Sequence, residues 1–355
     1  MYLRQITNRE AGQRLDRYLC KLLPLAGTGF LHKMLRKKNI TLNGKKAQGS
    51  EKLMTGDQIA VFFAEETLQK FMGHKTVYDL SDKTQTLPDH TAKPQTVKSY
   101  EKAYQMYRAV EVIYENAHIL LADKPAGILT QKASPGDVSL NEWLIGNLLA
   151  RHEICVEELD TYRPSVCNRL DRNTSGIVLC AKTVQGAQLL QDLLQKRTLH
   201  KYYQLYVKGI LLDAQVIEGF LTKDNKRNKV SIQTHLQAED SLSNKEASYI
   251  KTSYRPLKIE ADKTLLEVEL ITGKPHQIRA HLAAIGHPLL GDYKYGDKEW
   301  NDYYKKTCQI HAQLLHAYKV IFPDLDPPFE DISGKTFQTG MPPLFDRASK
   351  QTAKG

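Results

Sequence analysis

Val166-Cys167-Asn168-Arg169-Leu170-Asp171-Arg172-Asn173-Thr174-Ser175-Gly176-Ile177-Val178-Leu179-Cys180-Ala181-Lys182 sets one carboxylate between two arginines, just ahead of an apolar run. A carboxylate flanked by guanidinium groups favours its charged form, which suits a nucleophile or a base better than a general acid. Asn173 to Gly176 is turn chemistry, and Ile177 to Ala181 is the short continuous apolar run of a buried strand. Asp171 is therefore expected on a loop abutting the core. On spacing alone the ordinary reading, a loop acid tied into ion pairs, is the better one, because structural ion-pair networks also perturb ionisation. Other segments have to change that balance.

Downstream, Ala187, Leu190, Leu193 and Leu194 mark a helix ending at Lys196-Arg197. His200 to Val207 alternates as a strand, with Tyr203, Leu205 and Val207 on one face and Tyr202 and Tyr206 outward. By itself Tyr203 reads as a core aromatic. Leu266, Val268 and Leu270 form another alternating strand, and Pro275 suits the first turn of a helix whose buried face is Ile278, Leu282 and Ile285, stopped by Gly286. His276 and Arg279 would share a side near the start of that helix. Upstream, Val112-Ile113-Tyr114 and Ile119 to Ala122 read as strands, followed by the turn Asp123-Lys124-Pro125-Ala126-Gly127.

The 355 residues are 41% hydrophobic and 25% charged, the composition of a globular chain long enough for two domains. There is no apolar run of the ~20 residues that cross a bilayer, and Met1-Tyr2-Leu3-Arg4-Gln5 lacks the apolar core of a secretory signal, so a cytoplasmic protein is expected. Five scattered cysteines, Cys20, Cys155, Cys167, Cys180 and Cys308, argue against a secreted disulfide framework. No metal site is expected, since His276 and His281 are five apart.

Of the net charge of +10, residues 1–64 carry +8, from 12 Lys/Arg against 4 Asp/Glu. Such an excess attracts a polyanion, nucleic acid or an anionic membrane, unless it is only a solvated face. Leu15, Tyr18, Leu19, Leu22 and Leu23 predict a helix over 12–23, with Arg14, Arg17 and Lys21 as a basic stripe. Phe30, Leu31, Met34 and Leu35 predict a second helix carrying Lys33, Arg36, Lys37 and Lys38, with Asn39 as a left-handed stop. Ile40-Thr41-Leu42 leads into Asn43-Gly44, a two-residue hairpin signal, and Ile59 to Phe63 closes a small sheet. Paired basic helices favour RNA over a membrane, because their apolar faces are needed to cover the strands. Residues 65–108 are polar without sustained periodicity and read as a linker, from which Tyr104, Met106 and Tyr107 could pack onto the next domain. Residues 331–355 read as a polar tail.

Arg169-Leu170-Asp171 followed by Thr174-Ser175-Gly176 resembles the signature of the RluA-type pseudouridine synthases, with Asn168 where that family usually has His. The resemblance extends to the Asp-Lys-Pro-x-Gly turn at 123–127, the Lys201-Tyr202-Tyr203 strand start, Thr272-Gly273-Lys274-Pro275-His276-Gln277-Ile278-Arg279-Ala280-His281, Gly291-Asp292 and Tyr295-Gly296. Residues 14–19 and 40–45 resemble the small RNA-binding domain, first named for a ribosomal small-subunit protein, that often precedes such catalytic domains.

The resemblance implies an α+β fold: a mixed, mostly antiparallel sheet with a central cleft over 109–330, after a small α+β RNA-binding domain over 1–64. It implies Asp171 as the catalytic carboxylate, attacking base or ribose or removing a ribose proton to give a glycal. It further implies Arg279 as the partner of Asp171, and Tyr203 stacking on the target base and helping to move a proton. Arg169 would enter the space vacated by a flipped base, with Arg172, Lys124 and His276 on the RNA side and Arg14, Arg17, Lys37 and Lys38 on the RNA-binding domain. The expected partner is RNA, large-subunit ribosomal RNA before transfer RNA, for a monomer without cofactor. The rivals are a non-catalytic RNA-binding or ribosome-assembly protein and a glycoside hydrolase, which would need two opposed carboxylates where only one candidate stands out.

Overall fold

A computed structural model describes residues 1–72, 95–224, 229–233 and 247–351. The first unit is β1 (Tyr2–Gln5), α1 (Leu15–Leu22), α2 (Thr28–Arg36), β2 (Ile40–Leu42), β3 (Lys45–Lys46) and β4 (Gln58–Val61), with an antiparallel sheet in the order β1-β4-β2-β3. The apolar stripes predicted for the two helices bury Leu15, Tyr18, Leu19, Leu31 and Leu35 against Ile40 and Ile59. Asn43 and Gly44 both take positive φ, as a two-residue hairpin turn demands. The left-handed stop of α2 falls on Lys38, φ 59°, and not on Asn39, whose N–H instead reaches the Met34 carbonyl at 3.0 Å.

The stretch expected as a linker carries two helices, α3 (Glu65–Met72) and α4 (Gln95–Met106), flanking residues outside those described. Leu68 and Met72 belong to the first core. Val97, Tyr100 and Ala103 bury one side of α4, and Tyr100 and Ala103 join the second core. The polar composition hid this because each helix buries only a few residues. Tyr104 and Tyr107 do pack on that core, whereas Met106 is exposed.

The large unit follows as β5 (Glu111–Glu115), β6 (Ile119–Lys124), α5 (Leu140–Ala150), β7 (Ser165–Val166), β8 (Ser175–Ala181), α6 (Val184–Lys196), β9 (His200–Lys208), β10 (Gln215–Asp224), β11 (Lys229–Gln233), β12 (Ser248–Ile259), β13 (Lys263–Leu270), α7 (Gln277–Ala284), α8 (Lys298–Cys308), β14 (Leu315–Ile321), β15 (Thr336–Gln338) and α9 (Pro343–Ser349). Its sheet runs β11-β10-β12-β13-β9-β14-β8-β6-β5, with β15 on β14 and β7 on β8. Only β8 and β14 pair in parallel among the described strands, which makes the mixed, mostly antiparallel α+β arrangement expected.

Tyr203, Leu205 and Val207 of β9 face one core as predicted. Tyr206 is not outward: it is buried on the opposite face under Trp300, Tyr304 and Phe345, because α8 and α9 cover that side. The segment from 331 is accordingly no polar tail. It adds β15 to the sheet and buries Phe345 and Ala348 of α9.

A buried carboxylate ties the two units together. Glu10 accepts from Arg4, Thr7 and Tyr18 of its own unit and from the Thr161 hydroxyl of the other. The Val184 N–H also donates to the Arg9 carbonyl at 3.0 Å, and Arg9 pairs with Glu158 at 3.5 Å.

Candidate active site

The loop carrying Asp171 is pinned on both sides. Thr130 Oγ1 donates to the Leu170 carbonyl at 2.8 Å and accepts the Leu170 N–H at 3.2 Å. Asn168 Oδ1 accepts the Leu179 N–H at 2.7 Å, so the residue standing in place of the usual His fastens the loop to β8. The Thr174 N–H closes the turn onto the Asp171 carbonyl at 3.0 Å.

Gly176 shows why the loop must end as it does. It takes φ +111°, and a Cβ there would lie 2.2 Å from the Ala317 carbonyl oxygen of β14. Only glycine permits the parallel pairing of His316 and Ala317 with Ser175 and Gly176 that anchors the loop's far side.

Lys124 departs from expectation. Its side chain is fully buried, and Nζ donates to the carbonyls of Pro125, Ile128 and Arg172 at 3.0, 2.9 and 3.1 Å. Burial pushes its pKa down to about 7, against the pull of Asp171 and Asp123. Lys124 is therefore turned inward, away from the surface where RNA contact was expected, and clamps the 125–128 turn to the Asp171 loop, because the apolar strand before it draws the stem inside. Arg172 is exposed and donates from Nε to the Gly127 carbonyl at 3.1 Å, closing the same clamp. Arg169 is exposed, with no hydrogen bond or ion pair among the described residues.

Arg279 and His276 converge on Asp171 from the start of α7. Arg279 Nη1 donates to Asp171 Oδ2 at 2.7 Å, while its Nε and Nη2 grip both oxygens of Asp292 at 2.7 and 2.9 Å. Burial works against the guanidinium's charge, but Asp292 and Asp171 more than offset it and hold its pKa above the ordinary value. Burial would likewise raise Asp292; Arg279 and the N–H groups of Lys294 and Tyr295 bring it below the usual carboxylate value. His276 Nε2 stands 3.9 Å from Asp171 Oδ1.

Tyr203 completes the group. Its side chain is 5% exposed within the main core, and its phenol pKa is raised by burial and further by the nearby charge of Asp171. Asp171, Arg279, His276 and Tyr203 are thus brought together. Arg14, Arg17, Lys37 and Lys38 lie exposed on the first unit, Arg14 being paired with Asp16 at 2.6 Å. Sequence reasoning gave no role to Asp292, Tyr295 or Thr130. For the first two the signal was the Gly291-Asp292 and Tyr295-Gly296 stretch; Thr130 has none.

Residues 118–284 match the family described as RNA pseudouridylate synthase. An uncharacterized RNA pseudouridine synthase of Mycoplasma genitalium is 28% identical over 352 residues, 96% of this chain and 96% of the relative. Ribosomal large subunit pseudouridine synthase C of Rickettsia bellii is 29% identical over 316 residues, 89% of this chain and 93% of the relative. The structure of human RNA pseudouridylate synthase domain containing 4 matches with a TM-score of 0.53 at 20% identity, over 71% of this chain and 95% of that one, which shows the shared fold. Long matches in sequence, with the same fold beneath them, support an RluA-type RNA pseudouridine synthase, an enzyme that isomerises uridine to pseudouridine in RNA.

Proposed function

We propose that this enzyme acts on large-subunit ribosomal RNA and that Asp171 is its essential carboxylate. The observation that carries the second part is the anchored pair: Arg279, locked by buried Asp292, presents one remaining N–H to Asp171 at 2.7 Å on a loop held by Thr130, Asn168 and Lys124. Relatives named as ribosomal large subunit synthases support the first part, as does the basic first unit, read as an RNA-binding domain.

A uridine in a stem must leave its stack before its glycosidic bond is reached, at a cost of a few kcal/mol. Arg169, exposed beside the loop, fills the vacated space. Asp171 then acts on the base, on the ribose carbon or on a ribose proton; in each route the bond between N1 and C1′ breaks, the uracil turns, C5 bonds to C1′, N1 gains a proton and C5 loses one. Arg279 keeps Asp171 charged and aimed. Tyr203 supplies a flat wall for the base. Its raised pKa keeps it a neutral phenol, so stacking is favoured over service as a phenolate base.

The test is release of tritium from C5 of uridine in large-subunit ribosomal RNA, with transfer RNA alongside. Release from the ribosomal RNA alone is expected. Release from transfer RNA alone would overturn the substrate assignment.

A further inference from the structure

The ring of His276 is held from behind. Its Nδ1 lies 2.8 Å from the Tyr295 hydroxyl, which accepts the backbone N–H of Val230, on the edge strand β11, at 3.0 Å. A backbone N–H can only donate, so it takes one of the hydroxyl's two lone pairs; a phenol oxygen that already accepts one hydrogen bond is a poorer acceptor for a second, which favours giving its own proton to Nδ1. A neutral imidazole carries one ring proton, and a partner on one nitrogen decides which nitrogen holds it. With the hydroxyl as donor the ring proton stands on Nε2, which faces Asp171 Oδ1 across 3.9 Å, too long for a hydrogen bond.

Two further observations bear on the ring. His276 sits at φ 55°, a conformation uncommon for a residue with a side chain and maintained where the surroundings over-determine it. Among the described residues the groups that face it are Asp171, Arg279, Lys294, Asp292 and Tyr295; burial lowers its pKa more than Asp171 raises it, which favours the neutral ring.

We infer that His276 is a neutral hydrogen-bond donor, through Nε2–H, to an oxygen of the target nucleotide, and that Tyr295 is a positioning residue through which β11 sets this tautomer. The inference rests on Asp171 marking the reaction centre. It makes the outermost strand part of the active-site machinery, since displacing Val230 releases the tyrosine that orients the ring.

The experiment is two-bond proton–nitrogen NMR of the full chain labelled with ¹⁵N-histidine, His276 being assigned by its disappearance in His276→Asn. The wild type is expected to show the Nε2–H form, and Tyr295→Phe a mixture of both tautomers with kcat/KM on RNA lowered roughly tenfold, the scale of one hydrogen bond. A charged ring or an Nδ1–H form in the wild type overturns the inference, and so does an unchanged tautomer in Tyr295→Phe. If Tyr295→Phe does not fold, the wild-type spectrum decides the tautomer, and His276→Gln, which keeps an N–H donor, is expected to retain more activity than His276→Leu; equal loss overturns the donor role. The spectra are taken on free protein, so they stand apart from the reaction-centre assignment, which would fall only if Asp171→Ala stayed active.

Discussion

Asp171 and Asp292 compete for one guanidinium, and the competition is unequal. Asp292, buried and bonded by two backbone N–H groups, holds Arg279 through two contacts, whereas Asp171 receives one, and its Oδ1 accepts no hydrogen bond among the described residues. Behind them Lys124 has a structural role. Its Nζ donates to three carbonyls, one buried and two half-buried, so Lys124→Met leaves those acceptors unpaired at a cost of about 3 kcal/mol. The catalytic loop should loosen with it, lowering kcat more than KM; urea unfolding and steady-state kinetics check this, and unchanged stability would contradict the clamp. Asp171, Arg279 and Tyr203 were legible because their motifs are local in sequence. Lys124 was misread because whether a lysine stem points into the core depends on carbonyls up to 48 residues away.

At the scale of elements, the parallel contact of β8 with β14 decides where the loop sits. Gly176→Ala forces a methyl group against the Ala317 carbonyl at a positive φ, and the expected destabilisation is about 3–5 kcal/mol. It should appear as a lower urea midpoint for the large unit; a midpoint within experimental error of wild type would contradict the packing. Strands β8, β9 and β13 were readable from their apolar patterns. Helices α4 and α9 were not: α4 shows its buried side only once α5 is beside it, and α9 buries just Phe345 and Ala348. Tyr206 belongs to the same lesson, since a strand's second face is outward only until something covers it.

For the whole molecule, Glu10 and Thr161 join a basic unit to the catalytic one, and the proposed RNA surface lies on the first of them. Replacing Arg14, Arg17, Lys37 and Lys38 with Ala should weaken RNA binding and flatten its dependence on salt, by about 0.7–0.9 in logarithmic slope for each phosphate left without a neutralising side chain. Filter binding across a salt series reads this, and an unchanged slope would contradict the assigned surface. The two-unit organisation was legible from the concentration of charge in residues 1–64; the junction was not, because it depends on one buried glutamate meeting a threonine 151 residues away. The central claim concerns Asp171, and the most direct measurement is tritium release from C5 of uridine in RNA by wild type and Asp171→Ala, with RNA binding measured for both. The account predicts release by the wild type only, with binding retained by the variant; release by Asp171→Ala would contradict it.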